Sequence, residues 1–185
     1  MTFNIGRGTF TLKISGEDLS LLINGEEQNV SSGIPFSKSI VNTGTAKLTA
    51  SRITSISFEN NTALRKIKNA FPLWSSDVDT FSNCFRRCTG LTTIPSNLFD
   101  NNTAVTDFNS CFYNCTSLTT IPSDLFDNNT AVTSFNGCFG GCTSLTSTVP
   151  TLWDETKWPE VALYNRCFRD CTSAANYADI PSDWK

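Results

Sequence analysis

Cysteine carries the most reactive side chain in this sequence, and all eight cysteines fall in four copies of Cys-Phe-x-x-Cys: Cys84/Cys88, Cys111/Cys115, Cys138/Cys142 and Cys167/Cys171. Regularly spaced cysteines build disulfides in an exported chain or hold zinc in an intracellular one. Here every pair sits at one fixed phase of a repeat, which favours packing, because a free buried Cys behaves as a small hydrophobe. Disulfide and metal stand as the alternatives. The chain has no His, and so no imidazole base, no Ser-His or Cys-His pair and no His metal ligand. Asp100 and Asp127 are copies of one turn position rather than a pair of catalytic acids, and Gly6-Arg7-Gly8 is too short for a phosphate cradle. These residues read as a protein that is not an enzyme and takes neither cofactor nor metal.

The Leu-Phe-Asp-Asn-Asn-Thr blocks at 98–103 and 125–130 gather the oxygen ligands calcium prefers, but without the spacing of an EF-hand or the Gly-rich pattern of a β-roll. Asp and Asn also favour turns on their own account, and that is the reading adopted. The glycosylation pattern at Asn60, Asn101, Asn114 and Asn128 recurs at one phase and follows from the same turns. Thr92, Thr106, Thr119, Thr133 and Thr146 form a threonine column, which raises ice binding against the plainer role of Thr on an exposed strand. The column breaks at Asp79 and Ala162.

The element that must position all of these is a 27-residue repeat: 104–130 is followed by a near copy of its own start at 131–142. Such a period marks a stacked architecture. Each unit splits into halves of 13 and 14 residues on one template, with Val105, Phe108, Cys111, Phe112 and Cys115 falling on Leu118, Ile121, Leu125, Phe126 and Asn129. Each half is expected to be one turn of a solenoid with a short strand, stacked in parallel at about 4.7–4.9 Å. On that basis Cys111 and Cys138 are two coils and about 9–10 Å apart, beyond disulfide reach. Residues 1–50 show no repeat and alternate as strands, with Asn24-Gly25 as a hairpin turn and a second hairpin through Asn42-Thr43-Gly44. They are expected to form a β module of about four strands that caps or docks the stack.

The pattern Phe-x-x-Cys-Thr-x-Leu-Thr-x-Ile-Pro is carried by Phe85, Cys88, Leu91 and Ile94, by Phe112, Cys115, Leu118 and Ile121, and by Phe139, Cys142 and Leu145. It resembles the BspA-like surface leucine-rich repeats of bacteria and phages over residues 52 to about 172. The resemblance implies a mainly β fold with short helical turns: a small N-terminal β-sheet module at 1–50, then a leucine-rich-repeat solenoid with a parallel sheet at 51–185, capped from about residue 173. It also implies non-catalytic recognition of a surface.

Comparing the repeats with one another locates where that recognition is expected. The positions inside Cys-Phe-x-x-Cys vary most, as Arg86-Arg87, Tyr113-Asn114, Gly140-Gly141 and Arg169-Asp170, and the residue before each first Cys varies as Asn83, Ser110, Gly137 and Arg166. Arg86, Arg87, Tyr113, Asn114, Arg166 and Arg169 are the candidate binding residues, since Arg and Tyr are enriched in binding hot spots. Neutral drift on a solvated edge is the competing reading. The net charge of −3 and the lack of any Lys or Arg between Arg87 and Lys157 speak against nucleic acid. No apolar run reaches membrane-spanning length and the N-terminus lacks a signal sequence. The expectation is an adhesion or receptor-recognition protein of a virion, such as a phage tail, or of a bacterial or extracellular surface. It would bind a surface protein or glycan, with residues 1–50 contacting other virion proteins or building a homo-oligomer. The alternative is a structural spacer with no external ligand.

Overall fold

A computed structural model describes residues 1–185, the side chain of Trp74 excepted. Eight strands occupy the first 67 residues: β1 (Thr2–Ile5), β2 (Gly8–Glu17), β3 (Ser20–Ile23), β4 (Glu26–Gln28), β5 (Phe36–Ile40), β6 (Gly44–Thr49), β7 (Arg52–Ser57) and β8 (Leu64–Ile67). They form a five-stranded sheet in the order β4-β3-β6-β1-β8 and a three-stranded sheet in the order β5-β2-β7. Every paired strand runs antiparallel to its neighbour. Alternation sets the buried faces: Phe3 and Ile5 from β1, Phe10, Leu12 and Ile14 from β2, and Ala46 and Leu48 from β6 enter one core.

Asn24 and Gly25 join β3 to β4 with φ of 53° and 85°, the two positive values a tight hairpin turn requires. The expected second hairpin does not form. β5 pairs with β2 in one sheet while β6 pairs with β1 and β3 in the other, so Val41-Asn42-Thr43 carries the chain between sheets. Asn24 helps hold β6 there, its Oδ1 accepting from the Thr45 N–H at 2.9 Å. Both β7 and β8 lie beyond residue 50, yet they pair with β2 and β1.

The leucine-rich-repeat solenoid with a parallel sheet is overturned. The sheets are antiparallel, and no strand follows Ile67 among the described residues. Parallel pairing shrinks to single bridges at Lys66–Thr93, Thr80–Asp107, Asp107–Ser134 and Ser134–Leu163. The reason is local. After Thr80, Asp107, Ser134 and Leu163 the backbone turns left-handed, at Asn83, Ser110, Gly137 and Arg166, and in the other half Pro95 and Pro122 lack the N–H that a ladder needs.

The 27-residue units instead rest on one another through turns and aromatic rings. Phe58, Phe85, Phe112, Phe139 and Phe168 form one stacked column, with ring centroids 5.2–5.7 Å apart and planes within 7° of parallel. Phe81, Phe108 and Phe135 form a second, and Phe71, Phe99 and Phe126 a third. A complete turn is therefore the whole 27-residue unit, and its two halves face each other across the core. The expected series of thin coils, one per half, does not exist. Phe58 belongs to the first column and also packs edge-on against Phe3 at 4.9 Å, joining the sheets to the repeats in one core. At the far end the Phe168 N–H donates to Trp184 O at 2.8 Å, the bond that Phe139 makes to Cys167 O one unit earlier.

Candidate functional site

Two of the variable positions in each unit are dictated by the backbone. Asn83, Ser110, Gly137 and Arg166 have φ of 52–61°, and Asn60, Arg87, Asn114, Gly141 and Asp170 have φ of 57–77°. Asn, Asp and Gly tolerate this region best, so variation among them reflects a shared constraint, which Arg87 and Arg166 satisfy at a cost in strain. Gly141 shows how tight the second column is: a Cβ there would meet Asn114 Oδ1 at 2.0 Å. Gly141→Ala is predicted to lower stability by at least ~1 kcal/mol, measured by urea unfolding, with the exposed Thr143→Ala as a near-neutral control. An equal loss in both would refute this account of the position.

The second left-handed column borders a shallow, open groove of about 440 Å³ lined by Asn60, Thr62, Arg87, Thr89, Asn114 and Thr116. Three successive units contribute to it. The backbone beneath is already satisfied: the Asn60 N–H donates to Arg86 O at 2.8 Å, that of Arg87 to Tyr113 O at 2.7 Å, and that of Asn114 to Gly140 O at 2.7 Å. The guanidinium of Arg87 is exposed. Of the six residues expected from the sequence, Arg87 and Asn114 thus share one site. The three threonines were not among them, although a Thr follows the second Cys of every pair, at Thr89, Thr116, Thr143 and Thr172, and so marked the column.

Arg86 and Tyr113 lie in the adjoining column and are engaged with their own neighbours. The Arg86 guanidinium pairs with Glu59 at 2.8 Å and lies over the Tyr113 ring at 5.8 Å. Tyr113 in turn covers Gly140, where a Cβ would meet its ring at 3.0 Å. This half-exposed column is worth about 0–1 kcal/mol per pair, and it orients Arg86 and Tyr113 at the edge of the groove. Arg166 and Arg169 sit on the last unit, outside the groove, and Arg169 pairs with Asp170 at 3.5 Å.

The cysteines offer no nucleophile at this surface. All eight are free and buried. The second of each pair caps a carbonyl 30 or 32 residues earlier: Cys88, Cys115, Cys142 and Cys171 donate from Sγ to Phe58, Phe85, Phe112 and Phe139 O at 3.1–3.3 Å. Burial pushes every thiol above its ordinary value, Cys171 up to about 12. The sequence-based spacing of about 9–10 Å between Cys111 and Cys138 is also corrected. They occupy adjacent turns, and the flanking Phe112 and Phe139 rings are 5.2 Å apart.

Asn102 and Asn129 take the capping role in the other half, donating to Ser75 O at 2.6 Å and Asn102 O at 2.9 Å. Among the described residues no cluster of His, Cys, Asp or Glu has the arrangement of a metal site, and Asp127 accepts from Lys157 Nζ. The threonine column is part of the framework as well, since Thr92, Thr119 and Thr133 donate their hydroxyls to carbonyls 27 residues earlier at 3.0–3.2 Å.

Comparison with known proteins returns no matching family model, no matching curated protein and no matching solved structure. The likeness to BspA-like repeats rests on the motif residues alone.

Proposed function

We propose that this protein recognises a partner surface without catalysis, through the groove formed by Asn60, Thr62, Arg87, Thr89, Asn114 and Thr116. What carries the reading is that three successive units present these side chains in one groove, with the exposed Arg87 among them, over a backbone whose own hydrogen bonds are complete. Its side chains offer amide, hydroxyl and guanidinium groups in rows about 5 Å apart, the spacing of the stacked rings beneath. That chemistry suits the hydroxyls and carboxylates of a surface glycan, or the polar face of a surface protein. The absence of His and the burial of every thiol favour binding over turnover. Display on a virion or a cell surface, with the sheets of residues 1–67 as the attachment face, fits this role.

A glycan array together with intact bacterial cells tests it. Arg87→Asn keeps a residue suited to the left-handed backbone while removing the charge and reach of Arg. The variant is predicted to lose about tenfold or more in affinity with its thermal midpoint unchanged or raised. Equal binding by the wild type and the variant would overturn the assignment to this groove. Binding by neither would leave the spacer role as the better account.

A further inference from the structure

A second cavity, unrelated to the groove, lies where the last unit meets the chain's final residues. Its volume is about 210 Å³, below the roughly 300–1,000 Å³ of a drug-sized site, so its occupant is a small group. Four aromatic rings line it, Trp153, Trp158, Tyr164 and Trp184, together with two exposed carboxylates, Glu155 and Asp183, and no Lys or Arg. Trp153 and Trp184 meet at 67° with centroids 6.3 Å apart, which makes a corner of two π faces. Tyr164 stacks on Trp184 at 4.8 Å and holds that wall in place.

Aromatic faces with acids at the rim attract positive charge; Lys157 already lies over Trp158, which leaves Trp153, Tyr164 and Trp184 to meet a ligand's cation. The protein already shows this chemistry at the same end of the molecule. Lys157 Nζ lies 4.8 Å from the centre of the Trp158 ring and Lys185 Nζ 4.7 Å from that of Tyr177.

We propose that this cavity binds an organic ammonium group, methylated or primary. The aromatic corner of Trp153 and Trp184 takes the cation, and Glu155 and Asp183 balance its charge.

Three of the tryptophans line the cavity, so intrinsic fluorescence reports occupancy directly. Choline chloride is the probe, and 3,3-dimethylbutan-1-ol, which has the same shape and hydroxyl without the charge, is the comparison. Choline is expected to give a saturable change and to bind about tenfold or more tightly than the alcohol. The double variant Glu155→Gln/Asp183→Asn, confined to exposed side chains, is expected to weaken choline about tenfold with the melting temperature preserved. A trimethyllysine peptide identifies the source. Binding it as well as choline points to a modified protein, and binding choline alone points to a small molecule or headgroup. Equal binding of choline and the alcohol, no saturable response to choline, or saturation by N-acetylglucosamine but not choline would each overturn the proposal.

Discussion

As pH rises from about 8 to 10 the protein is expected to lose most of its stability, over a range much narrower than one or two titrating groups would give. The cause is eight thiols that stay protonated in the folded protein because burial disfavours the thiolate, against an ordinary value of 9.0. Unfolding exposes them, and above that value the unfolded chain releases protons that the folded chain retains. Stability is therefore complete below about pH 8 and falls as pH rises. Each thiol contributes about 1.4 kcal/mol per pH unit once the unfolded form is ionised. Eight acting together give a slope of about 11 kcal/mol per pH unit, to order of magnitude, against a total of about 5–15 kcal/mol for a domain of this size.

A thiolate would also strip the proton from the Sγ bonds of Cys88, Cys115, Cys142 and Cys171 and leave carbonyl oxygens without a donor. Urea titrations from pH 7 to 10, in reductant, measure the slope. Removing one pair, as Cys138→Ala/Cys142→Ala, should cut it by about a quarter whatever it does to stability at pH 7. A stability that stays flat between pH 8 and 10 would show that the thiols ionise in place.

The period, the alternating strands and the Asn24-Gly25 turn are all legible in the sequence, because each rests on local spacing or on residues with special backbone tolerance. The length of a turn is not. Val105 and Leu118, or Phe112 and Phe126, are equivalent in the template, yet equivalence holds equally for residues stacked on one wall and residues facing each other across the core. Only the alignment of Phe85, Phe112 and Phe139 separates the two cases. The pairing of β5 and β6 was hidden for a related reason, since a strand's neighbour depends on distant segments such as β2 and β1.

The groove was half visible. Asn60, Asn114, Gly141 and Asp170 share tolerance of positive φ, which is a signal in its own right, but Arg87 and Arg166 disguise it as free variation. Glu59, which holds Arg86, lies outside the regular repeats and was found only through the ion pair.

Replacing Phe58 by Ala is expected to cost about 3–5 kcal/mol and to weaken the sheets and the repeats together. Phe58 is fully buried. On one side it stacks on Phe85 at 5.4 Å, as the first ring of the column that runs to Phe168. On the other it meets Phe3 at 4.9 Å and Phe10 at 6.3 Å, from the two different sheets. A cavity at this seam removes contacts from both parts, and neither can close it alone. The backbone crosses the seam beside it: the Phe58 N–H donates to Cys84 O at 2.6 Å and Phe58 O receives the Cys88 thiol at 3.2 Å.

Because the seam is a continuous core, the wild type should unfold in one transition. All four tryptophans lie after residue 70, so their fluorescence follows the repeats, while far-ultraviolet circular dichroism near 215 nm follows chiefly the antiparallel sheets (~215 nm being the usual β minimum). The two signals are expected to coincide in the wild type, and in Phe58→Ala to shift together to lower urea. The conservative Phe58→Leu should recover most of the loss. If the sheets instead unfold apart from the repeats in the wild type, then residues 1–67 are an independent module, and the ring at position 58 packs against the first repeat without coupling it to the rest.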